Sequence, residues 1–189
     1  RSTLFPYTTL FRSQPLGSKV NEIQVLEKGV NFSYSFDEML KYHGTGYPGG
    51  VAHAFKVMER AFPLLSDKTP PERREISLVT AFGGPGGRDA FEMVTRCVTD
   101  GRLHVDKNLP EAADAIESPG GRYYFRFTYR GRSVEITIRP GHVRDEFIQL
   151  ARKKDRTPEE ETELAGMKRE MADRLMASKA EDIYDAKVL

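Results

Sequence analysis

His43 is the first residue of this chain whose type and position suggest a chemical role. It opens a glycine-rich segment, HGTGYPGG, that precedes a predicted apolar helix. A glycine-rich turn before a helix lets backbone N–H groups face a ligand, and the helix dipole favours an anion there. The imidazole could add a metal ligand or a proton-transfer group. The alternative is a helix–turn–helix corner with a capping or hydrogen-bonded histidine, and the short motif leaves both interpretations open.

A second glycine-rich segment, GGPGGRD from Gly83 to Asp89, follows a predicted strand and precedes a predicted helix. Such a turn suits a phosphate or a carboxylate, with Arg88 as the counter-charge. It is not a Walker motif, because the G-K-[ST] ending is absent, and it is not a G-x-G-x-x-G motif. The alternative is a flexible turn in which Asp89 caps the helix.

The single cysteine, Cys97, lies eight residues after Asp89, about two turns along the predicted helix. A lone half-buried thiol is more often a core residue than a catalytic one. A nucleophilic role needs a nearby base, and His43 is the candidate if the fold brings the two together. The other histidines show no ligand spacing and are interpreted as surface or core residues: His53, His104 and His142.

The elements that position these residues follow from capping signals and hydrophobic periodicity. Ser35, with Glu38 three residues later, is a capping-box signature for a helix that ends at Gly44. Pro48 suits the first turn of a second helix, which ends near Pro63. Apolar residues in that helix recur at spacings of three and four and predict an amphipathic helix: Val51, Ala54, Phe55, Met58 and Phe62.

Strands and helices share the rest of the chain. Alternating aromatic and β-branched residues predict a hairpin there. The helix start signal TPEE predicts the last helix. The order of elements argues for an α+β fold, with a mixed or antiparallel sheet packed with helices and a helical C-terminal segment. The predicted elements are a buried strand (75–82), a helix (88–99), a short strand or loop (103–109), an antiparallel hairpin (123–129 and 134–138), two helices (143–153 and 157–177) and a short tail (181–189).

The composition narrows the class of protein. Of the 189 residues 39% are hydrophobic, which is enough for a core, and 29 basic residues oppose 28 acidic ones. The net charge of +1 gives no electrostatic argument for nucleic acid or a membrane, so neither partner is expected. The hairpin segment YYFRFTYRGR could mimic an RNA platform, but an ordinary half-buried sheet is favoured. No apolar run approaches the ~20 residues that a membrane helix needs.

The segments of the chain differ in character. Residues 1–13, RSTLFPYTTLFRS, lack any helical or strand period and resemble translated adapter or vector sequence, so we interpret them as non-native. Residues 14–34 are interpreted as a connector with a short strand or helix at 22–27, and residues 35–189 as the α+β domain. The native start could then lie upstream, which leaves a lost targeting segment open. A single thiol excludes an intrachain disulfide or a multi-cysteine metal site and fits a reducing compartment, so a cytoplasmic location is expected.

Taken together, these pieces resemble the FmdE-like family, which takes its name from a component of formylmethanofuran dehydrogenase, from about residue 35 to residue 189. The segment from His43 to Gly49 resembles the family's His-Gly-His-x-Cys-Pro-Gly motif. The segment from Gly86 to Ala90, with Cys97, resembles its Cys-x-x-Asp-Ala … Gly-Cys-Thr motif. The chain departs from these motifs at four positions: Thr45 replaces the second histidine, Tyr47 and Gly86 replace two cysteines, and Val98 replaces the threonine.

The resemblance implies an α+β core that dimerises and a Cys/His cluster in a cleft that can bind a divalent transition metal, zinc or iron. The candidate metal ligands left in this chain are His43 and Cys97, with Asp89 as a third. Two or three ligands could hold a catalytic metal with an open position. The alternative is a metal-free cleft for a small anionic or aromatic molecule, with Tyr47 in the place of a cysteine. Some family members add a C-terminal zinc finger, for which this chain has no cysteines.

These inferences lead to a homodimer with a small-molecule cleft between the two glycine-rich segments. Its function is interpreted as that of an FmdE-like accessory protein of anaerobic one-carbon or redox metabolism, with a metal site altered by substitution. The alternatives are a Cys/His-dependent or metal-dependent enzyme, and a structural component of a larger complex, so enzymatic activity is left open. The candidate catalytic or metal-binding residues are His43 and Cys97, and the candidate ligand-binding residues are Tyr47, Gly49, Gly86, Arg88 and Asp89.

Overall fold

The computed structural model describes residues 21–189, so the predicted non-native segment (1–13) and the start of the connector lie outside the described residues. The fold is α+β, as predicted. The elements in chain order are β1 (Glu22–Glu27), β2 (Val30–Ser35), α1 (Phe36–His43), α2 (Pro48–Leu65), β3 (Ser77–Phe82), α3 (Pro85–Thr95), β4 (Leu103–Val105), β5 (Glu117–Ser118), β6 (Gly121–Tyr129), β7 (Arg132–Ile138), α4 (Asp145–Arg152), α5 (Pro158–Ala177), α6 (Ala180–Ile183) and β8 (Tyr184–Val188).

The main sheet is mixed and has six strands. Its order is β4-β3-β6-β7-β8, with β5 paired to β6 outside this path. Within this sheet β3 and β4 pair in parallel, and β6 and β7 form the predicted antiparallel hairpin with Phe127 opposite Val134. The chain closes on β8, which pairs antiparallel with β7 where the sequence predicts only a tail. Residues 22–35 form a separate antiparallel hairpin of β1 and β2, through which Ile23 and Val25 join the core.

The core lies between one face of this sheet and α2. Alternate residues of β6 and β7 point to that face and are buried: Tyr123, Phe125, Phe127, Tyr129, Val134, Ile136 and Ile138. Tyr124 lies on the opposite face in a smaller cluster with Ala81 and Ala112. The period of two in the sequence therefore separates the two faces of the hairpin, as a half-buried sheet requires.

Helix α2 is buried on nearly all sides. The predicted amphipathic helix would have an exposed polar face, and this part of the prediction was wrong. The helix packs against the sheet, α3 and α5, and these neighbours also cover the side that carries His53 and Lys56. The Lys56 ammonium is fully buried and donates to the carboxylate of Glu59 at 2.8 Å. A charge inside the protein is tolerated when it is paired in this way.

Helix α3 begins and ends three or four residues earlier than predicted. Gly83 and Gly84 precede it, and Pro85 is its first residue, so most of the second glycine-rich segment is helical. Asp89 consequently lies inside the helix and is not its cap, because the N-cap is Gly84. Arg102 Nη2 donates to the carbonyl of Thr95 at 2.8 Å at the other end of α3, where a cation complements the helix dipole.

Candidate functional site

The first turns of α2 and α3 touch through glycines. A β-carbon on Gly86 would lie 2.6 Å from the carbonyl oxygen of Tyr47, and one on Gly50 would lie 3.4 Å from the Cα of Gly86. Gly49 packs on α5, where a β-carbon would lie 3.3 Å from the Lys168 carbonyl oxygen. The glycines of both sequence motifs therefore permit two helix N-termini to meet at one point.

The positive dipole ends of these two helices are not compensated by capping side chains or acidic residues of the helices themselves. The N-caps, Tyr47 of α2 and Gly84 of α3, make no side-chain capping bond, and the first turns contain no acidic residue. Helices α1 and α5 are built differently. Each has a complete capping box, at Ser35 and Thr157, and acidic residues in its first turn. The positive dipole ends of α2 and α3 thus stay available to a negative group.

A cavity of about 350 Å³ opens beside these two helix starts, and we name it the α2–α3 cavity. Its lining includes the three cations Lys107, Arg156 and Lys168, and none of its described lining residues is Asp or Glu. Arg156 is paired with Glu161 at 2.7 Å. The rest of the wall includes Ser118, the glycine segments and a larger apolar part: Phe82, Tyr123, Phe147, Ala151, Leu164 and Met171.

Lys168 lines this cavity and lies beside Tyr47. Its Nζ atom is 4.2 Å from the centroid of the Tyr47 ring, a cation–π contact, and 3.4 Å from the Gly46 carbonyl oxygen. Burial lowers the pKa of Lys168, Arg156 lowers it further, and Glu161 opposes both effects. A bound anion would favour the charged ammonium and so reverse this shift.

His53 belongs to the cavity wall, although it carries no motif. Its ring is only 1% exposed, and its Nδ1 lies 2.6 Å from the hydroxyl oxygen of Tyr184. Within the part of the chain that the structure describes, its buried Nε2 has no hydrogen-bond partner. Burial lowers the pKa of His53 to about 3, with Arg174 and His142 adding to the effect, so the ring is neutral at physiological pH.

His43 and Asp89 form a hydrogen-bonded pair next to the cavity. The His43 Nδ1 lies 2.8 Å from Asp89 Oδ2, and the His43 side chain is 7% exposed. The Tyr47 ring packs at 5.9 Å between centroids, and Arg88 approaches the other Asp89 oxygen at 3.7 Å. The buried Nε2 of His43 lacks a hydrogen-bond partner among residues 21–189. The structure thus brings His43, Tyr47, Arg88 and Asp89 together.

Cys97 does not join them. It follows the C-terminal end of α3, whereas Asp89 lies near the helix start, and about 9 Å of helix separates Asp89 from Thr95. The thiol is completely buried in the core, and burial raises its pKa. The Cys97 carbonyl accepts from the amides of Arg102 and Leu103, so the residue sits in a structural turn. The structure therefore does not place His43 as a base for this thiol.

The donor set for a metal is likewise not assembled. Across residues 21–189, no group of three or more His, Cys, Asp and Glu side chains is arranged to hold a metal ion. His43 and Asp89 are bonded to each other, and Cys97 lies elsewhere. Zinc takes at least three protein ligands in known catalytic sites, so the residues present do not fit the metal that the family resemblance implies.

Of the predicted ligand-binding residues, Tyr47, Gly49 and Gly86 line the α2–α3 cavity, and Arg88 and Asp89 do not. The four basic residues of the lining were not predicted from the sequence: His53, Lys107, Arg156 and Lys168. His53 follows the glycines Gly49 and Gly50 by one helical turn, and that spacing was the available signal. Lys168 lies on α5, outside both glycine-rich motifs.

Comparison with known proteins adds no family. No family model matches the chain, and no curated protein matches it either. The likeness to the FmdE-like family therefore rests on the motif residues alone. Over the described part of the chain, no helix is both long and apolar enough to span a membrane.

Proposed function

We propose that the protein binds a small anionic molecule in the α2–α3 cavity. One observation carries the proposal: two uncapped helix N-termini, free of acidic residues, meet beside a cavity whose described lining has three cations and no carboxylate. A helix N-terminus carries roughly half a positive charge, and its first amides point at a ligand. Phosphate and carboxylate are the groups that this arrangement favours.

The dimensions of the cavity agree with a small molecule. Its volume of about 350 Å³ falls in the range of ~300–1,000 Å³ that is typical of ligand sites. The mixture of an apolar wall with a few polar groups is also typical of such sites. An accessory protein of the FmdE-like type, acting in one-carbon or redox metabolism, is the wider role that the motif residues suggest. The predicted homodimer and cytoplasmic location stay predictions, and a size measurement tests the former.

A second candidate function is catalysis, which the His43–Asp89 pair favours. A carboxylate on Nδ1 orients an imidazole and leaves Nε2 to take a proton, as in general-base catalysis. The Tyr47 ring connects the pair to the cavity, since it contacts His43 and also lines the cavity wall. Loss of turnover, with retained ligand affinity, in a His43→Gln variant would support this role. Unchanged turnover in that variant would exclude it.

Calorimetric titration with inorganic phosphate and with phenyl phosphate tests the binding proposal. We expect both to bind, and removal of a cavity cation, in Lys168→Ala or Lys107→Ala, to weaken binding about tenfold, or ~1.4 kcal/mol. Lys154→Ala is the matched control, because Lys154 is exposed and outside the cavity lining. Failure of the wild-type protein to bind either compound, or an equal loss in the control, contradicts the proposal.

A further inference from the structure

The hydrogen bond between His53 and Tyr184 fixes the position of a proton. The Tyr184 hydroxyl is buried, and the structure of residues 21–189 gives it one hydrogen-bond partner, His53 Nδ1 at 2.6 Å. Burial raises the pKa of Tyr184 well above its usual value, so the hydroxyl keeps its proton. Because that proton has no other acceptor among these residues, Tyr184 donates to Nδ1. The ring proton of the neutral imidazole then resides on Nε2.

The Nε2–H group is left as a donor without an acceptor. Tyr184, which holds Nδ1, is not part of the cavity lining, whereas His53 is, so a ligand in the cavity would meet the ring on a side other than Nδ1. No atom of the described chain accepts from Nε2. A buried donor without a hydrogen-bond partner is rare in folded proteins and destabilises the folded state. An acceptor atom of a ligand would complete it.

The surroundings of His53 describe the part of the ligand that carries this acceptor. The Tyr123 ring packs on the imidazole at 4.6 Å between centroids, and Phe82 stacks on Tyr123 at 4.6 Å with an interplanar angle of 23°. Phe147 and Met171 continue the apolar wall. A flat, apolar group suits such a wall, since aromatic faces prefer offset stacking. The cations and helix amides account for a negative group on the same molecule.

We propose that His53, held by Tyr184, is a neutral hydrogen-bond donor that selects anionic aromatic ligands bearing an acceptor atom on the ring portion. The class comprises aryl or heteroaryl phosphates and carboxylates with a carbonyl oxygen or ring nitrogen as the acceptor. The inference rests on the proposed anion binding and adds the determinant of specificity. A neutral donor discriminates strongly, because a ligand without the acceptor leaves the buried N–H unpaired.

Two matched pairs of probes test the selection. The 3- and 4-acetylphenyl phosphates carry a carbonyl acceptor, and the corresponding ethylphenyl phosphates have nearly the same shape without it. We expect calorimetry to give about tenfold tighter binding for at least one acetyl compound. His53→Leu should abolish the preference for the acetyl over the ethyl compound, and His53→Gln, which keeps an amide donor, should retain part of it.

The outcomes separate this inference from the proposed function. Equal binding of acetyl and ethyl compounds, or a preference that survives in His53→Leu, overturns the selection by His53 while anion binding stands. Absence of binding by all four compounds and by inorganic phosphate overturns both. Nitrogen-15 NMR of the wild-type imidazole gives a test without substitution. We expect the Nε2–H tautomer in the free protein and a shift of the Nε2 signal with the acetyl compound, and an Nδ1–H tautomer contradicts the inference.

Discussion

The Nδ1 atom of His43 lies 2.8 Å from Oδ2 of Asp89, which joins the last residue of α1 to the first half of α3. The two residues come from the two motifs that the sequence singled out, 46 positions apart. This bond sets the position of α1 against α3 at the edge of the α2–α3 cavity. The bond therefore connects the two glycine-rich segments directly, because His43 belongs to the first segment and Asp89 to the second.

Removal of this bond should lower stability by a modest amount. We expect Asp89→Ala to reduce the free energy of unfolding by about 1 kcal/mol, because Asp89 is 31% exposed and water compensates part of the loss. Urea denaturation measures it, with Lys154→Ala, an exposed residue outside the cavity lining, as the control. A double-mutant cycle with His43→Ala should give a coupling of at least ~0.5 kcal/mol. Strict additivity would show that the bond contributes nothing.

Gly86 should not tolerate a side chain. A β-carbon there would lie 2.6 Å from the Tyr47 carbonyl, so Gly86→Ala must push apart the first turns of α2 and α3. We expect a loss of about 1–3 kcal/mol in the free energy of unfolding, with weaker anion binding. Gly46→Ala is the control, since a β-carbon at Gly46 meets nothing within 4 Å. Comparable stability of the two variants in thermal denaturation would contradict the close approach.

Local signals in the sequence were sufficient for much of the fold. The capping boxes at Ser35 and Thr157 begin α1 and α5 as predicted, because a cap depends on residues three positions apart. Strand β8 was missed because a short polar tail becomes a strand only by pairing with β7. The polar side of α2 was misjudged for a similar reason, since it is buried by elements distant in the chain, among them the sheet, α3 and α5.

The candidate site was predicted in part, and the errors have the same origin. The approach of His43 to Asp89 and of Tyr47 to Gly86 agrees with the two-motif interpretation. Cys97 was grouped with them by counting helical turns, but α3 ends at Thr95. His53 and the lining cations come from separate elements, so no local spacing relates them. Their convergence is a tertiary property, which a single sequence does not reveal.

The thiol of Cys97 should be almost unreactive in the folded protein. Burial raises its pKa, and only the thiolate reacts with alkylating agents. We expect iodoacetamide at pH ~8 to label native protein far more slowly than protein unfolded in urea, which should label fully. Cys97→Ala should leave phosphate binding unchanged, because the residue is outside the cavity lining. Rapid labelling of native protein, or loss of binding in the variant, would restore Cys97 as a site residue.

The buried, neutral His53 should make the folded protein less stable as the pH falls. Burial, with Arg174 and His142 adding to it, lowers the pKa of His53 from 6.5 to about 3, and the enclosing Tyr123 and Tyr184 stay uncharged. Between these values the unfolded chain binds a proton that the folded chain does not. The stability contributed is therefore full above pH ~6.5 and falls towards pH ~3, by at most about 1.4 kcal/mol per unit. Urea unfolding from pH ~7 to pH ~4 should show a steeper loss for wild type than for His53→Gln, and parallel curves would refute this dependence.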